Sequence, residues 1–359
     1  MDIGKLLKEM KERNASDLIL KPGRPPIMRI YGDLVDINAP PLTDEQVDKI
    51  AQAIMTEEQQ RRFEKTMEMD LAVNVPGLAR FRVNIFKQRR HTGIVFRLIP
   101  EKIPSLDELG MPEILKKFAM RPRGLILVTG PSGCGKSTTI AAMVDYRNEH
   151  EACHIITVED PIEFIYRNKK AIIDQREVGK DTRSFSNALK YSLRQDPDVI
   201  VVGEMRDLET ISLAITAAET GHLVLSTLHT HDAVQTIDRI IDAFPPHQQR
   251  QIRLQLSANL VGIVSQILLK RADGKGMVAA TEIMVSIAAV RNLIREAKTH
   301  QLPSIIQTRT KEGMRTLNMS LVELVMKGIV TAEEAARKAH NPEEFKELLM
   351  KARRVKVAR

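Results

Sequence analysis

The spacing of apolar residues changes in character along the chain. Residues 3–13 have apolar side chains at helical intervals, and further helical patterns lie near residues 43–65. Short alternating segments are found at 17–20, 27–31 and 69–75, followed by a longer alternating pair at 79–86 and 91–98. Mixed helices and alternating strands predict an α+β domain over residues 1–100.

From Gly124 onward, apolar strands alternate with helical patterns. Strands are predicted at 125–129, 154–158, 198–202 and 222–226, and helices at 136–149, 184–195, 207–219 and 231–243. This alternation is typical of a parallel sheet covered by helices on both faces. We therefore predict a linker over 101–120, rich in proline and glycine, an α/β core over 121–285 and a C-terminal helical region over 286–359.

Composition narrows the class of protein. The 359 residues include 54 Lys and Arg and 46 Asp and Glu, which gives a net charge of +8. A positive net charge is compatible with nucleic-acid binding. Aromatic residues make up only 4%, with no Trp, so stacking platforms for single strands are scarce and no nucleic-acid partner is expected. Two cysteines cannot build a disulfide framework, and no apolar run approaches a membrane span. These features favour the cytoplasm.

A phosphate-binding loop is the most specific motif. Gly130-Pro-Ser-Gly-Cys-Gly-Lys-Ser-Thr138 follows a predicted strand and precedes a predicted helix, as the P-loop pattern requires. It predicts binding of ATP with Mg²⁺, with Lys136 facing solvent until it meets phosphate and with Ser137 supplying a hydroxyl to the metal ion. The candidate nucleotide-binding residues are Gly130, Ser132, Gly133, Cys134, Gly135, Lys136, Ser137 and Thr138.

Three further candidates follow apolar strands. Glu204 comes after the strand at 198–202 and is expected to join the Mg²⁺ shell, through water, or to polarise the attacking water. Glu163 follows the strand at 154–158 and is a candidate to orient or deprotonate that water. His229 follows the strand at 222–226 and could sense the γ-phosphate. A zinc site at His229 and His231 has no further ligands nearby.

These motifs together resemble the PilT-type retraction ATPases, a branch of the secretion and pilus-assembly ATPases. Glu159-Asp-Pro-Ile-Glu163 resembles the family's Asp box, Val201-Val-Gly-Glu-Met-Arg-Asp207 its Walker B segment, and Gly221 to Thr230 its His box. The resemblance implies a RecA-like core, a PAS-like N-terminal domain and a homohexameric ring. It further implies pilus retraction and twitching motility, with the ring bound to a platform protein at the cytoplasmic face of the inner membrane.

Two features favour the retraction branch. The chain lacks the four-cysteine zinc motif usual in extension and secretion relatives, and Ala289-Val-Arg-Asn-Leu-Ile-Arg-Glu296 resembles a short motif of retraction motors. The alternatives are a related pilus-assembly or secretion ATPase, a nucleic-acid motor of the same core fold, or a nucleotide-binding adaptor with little turnover. Cys134, at a P-loop position that is often Ser, is expected to have a lowered thiol pKa beside the helix N-terminus.

Two arginines of the N-terminal domain complete the expected site. Arg82 and Arg97 match family arginines that reach the nucleotide. Their odd separation would place them on opposite faces of one continuous strand. The charged stretch at 87–91 divides the segment into two strands, so the two guanidinium groups can converge and stabilise phosphate charge.

Overall fold

The computed structural model describes residues 2–99 and 102–357. Contacts within the chain group it into a first unit, Met1–Lys102, and a second unit, Ile103–Arg359. The predicted linker begins at residue 101, which lies outside the described residues. Within the described residues, no helix is both long and apolar enough to cross a lipid bilayer.

The first unit is an antiparallel sheet with three helices. Its elements are α1 (Ile3–Glu12), β1 (Ala15–Leu20), β2 (Ile27–Ile30), β3 (Asp33–Asp36), α2 (Asp44–Ile54), α3 (Glu57–Thr66), β4 (Glu68–Val75), β5 (Ala79–Gln88) and β6 (His91–Ile99). The strands lie in the order β3-β2-β1-β6-β5-β4, and every adjacent pair is antiparallel. The short strand β3 was not predicted.

Local chemistry explains where α2 and α3 begin. Thr43 and Thr56 each accept a backbone N–H three residues ahead, and the glutamine at that position bonds back to the threonine N–H. Along β5, alternate side chains are fully buried, and Phe81 meets Phe96 of β6 edge-to-face at 6.5 Å. This buried face of the sheet thus packs against the helices.

The second unit contains a seven-stranded sheet between helices. Its first elements are α4 (Ile114–Ala119), β7 (Gly124–Thr129), α5 (Lys136–His150), β8 (His154–Glu159), β9 (Ile172–Glu177), α6 (Phe185–Ser192), β10 (Val199–Val202), α7 (Leu208–Glu219), β11 (Leu223–Leu228), α8 (Ala233–Asp242), α9 (Pro246–Asn259), β12 (Leu260–Lys270) and β13 (Met277–Val285). The strand order is β13-β12-β7-β11-β10-β8-β9, parallel except for β12 with β13.

Alternation along β7 divides the core between the two faces of this sheet. Leu125 and Leu127 belong to one buried cluster, whereas Ile126 and Val128 belong to another. A strand that is buried on both faces needs helices on both sides, as the parallel arrangement requires. The predicted α/β fold is confirmed.

Helices follow the sheet to the end of the described chain. They are α10 (Ala288–Arg295), α11 (Leu302–Thr308), α12 (Leu317–Met326), α13 (Ala332–Lys338) and α14 (Pro342–Val357). The last three pack with β12 and β13 around Leu269, Val278, Leu321 and Phe345. The predicted helical character of this region is therefore correct.

Candidate active site

The loop between β7 and α5 has the geometry of an anion site. Strand β7 is buried at every position and leads into Gly130, while Gly135 begins α5 with no side-chain cap. The first backbone N–H groups of α5 therefore lack a side-chain acceptor at the positive end of the helix dipole. Ser132 and Ser137 are exposed beside them, and Thr138 is half-buried.

Strand β12 braces this loop through Gln266. The buried amide of Gln266 donates to the Cys134 carbonyl at 2.6 Å and accepts from the Thr139 hydroxyl at 2.9 Å. Gly130 is required here because a Cβ atom would lie 2.2 Å from the Gln266 carbonyl oxygen. Sequence reasoning missed Gln266, although an amide within an apolar strand signals a buried polar contact.

Lys136 lies inside the loop and does not face solvent. Only 9% of the residue is exposed, and its ammonium donates to the carbonyls of Gly130 at 2.8 Å and Pro131 at 3.1 Å. The expectation of a solvent-facing lysine was wrong, because the loop folds its own carbonyls around the charge. Burial lowers the pKa of Lys136, and the charges of Cys134, Glu204 and Glu163 oppose that shift.

His229 connects this lysine to Glu204. Its Nδ1 lies 3.3 Å from the Lys136 ammonium, and its Nε2 lies 3.2 Å from Glu204 Oε1. An ammonium can only donate, so Nδ1 accepts, and the ring proton of the neutral tautomer is on Nε2, from which it is donated to the carboxylate. The ends of β11 and β10, which are neighbouring parallel strands, bring the two side chains together.

The second oxygen of Glu204 is held by an arginine that sequence reasoning missed. Arg206 Nη2 lies 2.8 Å from Glu204 Oε2. Burial would raise the pKa of Glu204, but the hydrogen bonds from Arg206 and His229 and the charge of Arg206 outweigh it, so the pKa is lowered. This carboxyl group is consequently ionised at neutral pH.

Two hydroxyl groups attach the end of β11 to β10. Ser226 donates to the Val202 carbonyl at 2.8 Å, and Thr227 donates to the Gly203 carbonyl at 2.6 Å. These side-chain hydrogen bonds extend the pairing of the two strands beyond Val202, where β10 ends, to Gly203, which precedes Glu204. They fix the separation between Glu204 and His229 through the backbone.

Glu163 belongs to the same electrostatic neighbourhood. Its charge acts on Lys136, and its backbone N–H lies 3.5 Å from an oxygen of Glu159. Burial raises the pKa of Glu159, although Thr157 and Gln175 donate hydrogen bonds to it at 2.7 Å and 3.2 Å. Glu159 is thus an internal support for the segment that presents Glu163, and the sequence reading had not assigned it a role.

Cys134 differs from its prediction. The residue is 3% exposed, and burial raises the pKa of its thiol despite the neighbouring charge of Lys136. The expected lowered pKa was wrong, because removal from water disfavours the thiolate more than the helix terminus favours it.

A cavity of about 360 Å³ adjoins the loop. Gly135 and Thr138 are among the residues that line it, and Leu109, Leu268 and Met277 contribute apolar surface. Its volume falls within the ~300–1,000 Å³ range of pockets that hold small molecules. It therefore continues the phosphate site with room for a larger ligand.

Arg82 and Arg97 lie opposite each other on two strands, as the division of this segment at 87–91 allows. They are direct partners across the β5–β6 pair, so both project from the same face of the first unit. Arg97 donates to the buried carboxylate of Asp17 at 2.8 Å, and Arg82 lies 3.9 Å from Asp70. These carboxylates offset the repulsion between two like charges placed directly opposite each other.

The oxygen donors beside the phosphate loop suit Mg²⁺ better than a metal ion that is bound by protein ligands alone. Within the described residues, no group of three or more His, Cys, Asp or Glu could hold a metal ion. Mg²⁺ typically takes one or two protein oxygens and completes its shell with water and phosphate. The exposed Ser137 hydroxyl and the ionised Glu204 carboxylate are donors of this kind.

Comparison with known proteins agrees with this chemistry. Residues 2–337 match the family model described as Type II/IV secretion system protein. The chain is 53% identical over 345 residues to the "Type IV pilus retractation ATPase PilT" of Pseudomonas aeruginosa, covering 96% of this chain and 100% of that relative.

Two further matches point the same way. The chain is 50% identical over 318 residues to a "Twitching motility protein" of Neisseria gonorrhoeae, covering 89% of this chain and 85% of the relative. The crystal structure of the pilus retraction motor PilT with bound ADP superposes with a TM-score of 0.86 at 46% identity, covering 97% and 99% of the two chains.

Proposed function

This chain belongs to the Type II/IV secretion system protein family, and on that premise we propose that it is an ATP-hydrolysing motor that powers type IV pilus retraction and twitching motility. The observation that carries the proposal is the 53% identity to a retraction ATPase along that relative's whole length. The site geometry supports it, since the phosphate loop, Glu204 and His229 meet at the ends of adjacent parallel strands.

The loop from Gly130 to Thr138 binds the phosphates of ATP. Its backbone N–H groups and the dipole of α5 attract phosphate oxygens, and Lys136 exchanges loop carbonyls for the β- and γ-phosphates. Ser137 and Glu204 would hold Mg²⁺, the latter through water, and the metal ion would supply positive charge opposite the phosphates. The adjoining cavity takes the base and ribose.

Glu204 and Glu163 prepare the attacking water. Glu204 is ionised at neutral pH, and Arg206 and His229 fix its two oxygens, so it can accept a hydrogen bond from water in a defined direction. Glu163 acts on the same site from the neighbouring strand end and is the second candidate base. His229 reports the position of Lys136 to Glu204, as a sensor of the γ-phosphate would.

The chain works as a homohexamer, with Arg82 and Arg97 completing the ATP site. Paired guanidinium groups on one sheet face suit the charge that develops on a transferring phosphoryl group. Opening and closing around ATP would drive a stroke on a platform protein of the pilus base. The motor would therefore lie peripherally at the cytoplasmic face of the inner membrane.

A gene deletion tests the proposed function. A strain that lacks this chain should lose twitching and carry more surface pili, and restoring the intact chain should reverse both changes. Restoring a Lys136→Ala chain should leave both defects in place. Loss of pili in the deletion strain would instead indicate an assembly motor, and ATPase activity that requires DNA would indicate a nucleic-acid motor.

A further inference from the structure

The first unit contains a second cavity with the character of a ligand site. Its volume is about 640 Å³, and α2, α3 and the β5–β6 hairpin enclose it. Ala51, Met55 and Phe63 form a buried apolar floor. The size is typical of pockets that hold small molecules, and such pockets combine an apolar surface with polar groups that orient the ligand.

The mouth of this cavity is positively charged. Lys87, Arg89 and Arg90 line it at the hairpin tip. Among the described residues, no ion pair or hydrogen bond engages the guanidinium groups of Arg89 and Arg90. Two unpaired guanidinium groups side by side are suited to a carboxylate or phosphate, which they can bind through parallel N–H donors.

The carboxylate inside the cavity is already satisfied. Asp48 accepts a hydrogen bond from the buried hydroxyl of Thr92 and lies 3.8 Å from the Lys87 ammonium. Thr92 in turn accepts from Lys87 at 2.8 Å, and that ammonium lies 5.7 Å from the centre of the Phe63 ring. The remaining carboxylate, Glu64, is exposed on α3, so the arginines at the mouth lack an internal counter-ion.

Backbone strain marks the same arginines. Gln88 pairs with His91, so Arg89 and Arg90 form a two-residue hairpin turn with φ of +48° and +69°. Such turns favour Asn-Gly, because positive φ values bring a Cβ atom close to the backbone. An Asn-Gly sequence would form this turn without strain. The presence of two strained arginines instead indicates that their side chains have a function.

Met67 adds an apolar surface at the entrance. It ends α3 in the left-handed conformation and is 60% exposed, although it lines the cavity beside the arginines. A methionine adapts its shape to different apolar ligands. The cavity thus has an apolar floor, a flexible apolar edge at Met67 and a cationic lip formed by Lys87, Arg89 and Arg90.

We propose that this cavity binds a small organic anion with an apolar body and one carboxylate or phosphate group. The apolar body would lie on Met55 and Phe63, and the anionic group would meet Arg89 and Arg90. Each half of the ligand then finds a complementary surface. The residues that line this cavity include none of those that the proposed function places around ATP, neither the phosphate loop and its neighbours nor Arg82 and Arg97.

Three probes separate the contributions of body and charge. Decanoate has both an apolar chain and a carboxylate, decanol has the chain alone, and inorganic phosphate has the charge alone. Binding is followed by NMR of labelled methionine methyl groups, where Met55 and Met67 report on the cavity and Leu substitutions assign their signals. Decanoate should shift both signals with a higher affinity than either other probe.

Two variants test the arginines. Arg89→Ser/Arg90→Ser should weaken decanoate binding at least about tenfold, because each lost charged hydrogen bond costs more than a neutral one. Arg89→Asn/Arg90→Gly should weaken it equally and raise the melting temperature by relieving the turn. The matched control, Arg61→Ser/Arg62→Ser, removes the same charge from α3 outside the cavity and should leave the affinity unchanged.

Four outcomes would overturn the proposal. Unshifted Met55 and Met67 signals would exclude the cavity, and equal binding by decanol and decanoate would exclude the cationic lip. Arginine-dependent sedimentation with phosphatidylglycerol vesicles, in the absence of binding to decanoate, would assign the surface to a bilayer. A changed oligomeric mass of the arginine variants in light scattering would assign it to a second copy of the chain.

Discussion

His229 lies between Lys136 and Glu204, the two charged residues that the proposed mechanism places next to the γ-phosphate. It accepts from Lys136 and donates to Glu204, so movement of the lysine onto phosphate would free one ring nitrogen. The motifs that carry these residues are local in sequence and could be read directly. The role of Gln266 could not, because its partner Cys134 is distant in sequence and meets it only after folding. Arg206 lies only two residues from Glu204, but their contact depends on the local turn of the backbone after β10.

Replacing the loop lysine tests the phosphate site. Lys136→Ala should lower ATP turnover by about 100-fold or more, because the charge opposite the β- and γ-phosphates is lost. The fold should survive, since removing a buried ammonium also removes its desolvation cost. Phosphate release and circular dichroism measure the two effects. Lys190→Ala, on the exposed face of α6, should match the parent, and near-normal turnover of Lys136→Ala would reject the assignment.

Amide substitutions test the two carboxylates. Glu204→Gln should keep ATP binding and lower hydrolysis by about 10²–10⁴-fold, because the amide keeps the shape and loses the charge that orients water. Glu163→Gln should behave alike if Glu163 is the base. Single-turnover hydrolysis and nucleotide titration separate the two properties, with Glu209→Gln on α7 as the control. If only one variant loses hydrolysis, the role belongs to that residue.

At the scale of elements, β7 was predictable because it is a continuous apolar run, and α5 because it directly follows the phosphate-loop motif. Strands β3 and β9 were not, since both lie at sheet edges with many exposed residues and have no continuous apolar run. The role of β12 was also hidden. Its polar residues, Ser265 and Gln266, are explained only by the neighbouring β7 and the phosphate loop.

The brace between β12 and the phosphate loop can be tested. Gln266→Leu should weaken ATP binding by about tenfold or more, because the Cys134 carbonyl loses its hydrogen-bond donor. The peptide bond between Cys134 and Gly135 can then rotate and direct its carbonyl oxygen toward the phosphates, which it repels. Thr139→Val removes only the other half of the contact and should have a smaller effect. Fluorescent nucleotide titration measures the affinities. Equal losses in both variants would indicate a general packing defect.

The contact between β13 and α8 should make local stability depend on pH. Burial and the charge of Asp232 raise the pKa of Glu282 to about 7, although the Ala233 N–H donates to it at 3.0 Å. The folded protein therefore holds a proton that the unfolded chain releases above pH 4.5, so stability falls as pH rises from there to about 7.

Glu282→Gln should remove this dependence, which amounts to at most about 3 kcal/mol. Hydrogen exchange of β13 amides, compared between the variant and the parent at each pH, measures it without interference from intrinsic exchange rates. The variant should be relatively more protected at pH 8 than at pH 5. A difference that does not change with pH would contradict the shifted pKa.

At the scale of the whole molecule, the antiparallel first unit and the doubly covered parallel sheet agree with the patterns of the sequence. A ring cannot be read from one chain, because its interfaces join surfaces that one sequence presents separately. Heterologous contacts that close on themselves generate such rings. The paired arginines of the first unit make this assembly testable through catalysis.

Mixing two inactive variants tests whether arginine acts between subunits. Lys136→Ala lacks the phosphate-loop charge and Arg97→Ala lacks the proposed finger. If the arginine acts in trans, mixed rings contain some sites with both groups intact and activity partly returns as total concentration rises. If it acts within one chain, every site stays defective. An inactive mixture, with mixed rings verified by native mass spectrometry, excludes action in trans.

The strand order of the second unit also affects how the chain folds during its synthesis on the ribosome. The phosphate loop follows β7, yet β7 lies between β11 and β12, and Gln266 of β12 braces the loop. A nascent chain therefore emerges with its nucleotide-binding motif well before the strand that shapes it. At translation rates of roughly 5–20 residues per second, that interval is on the order of ten seconds. Nascent chains halted before β12 should consequently fail to retain ATP.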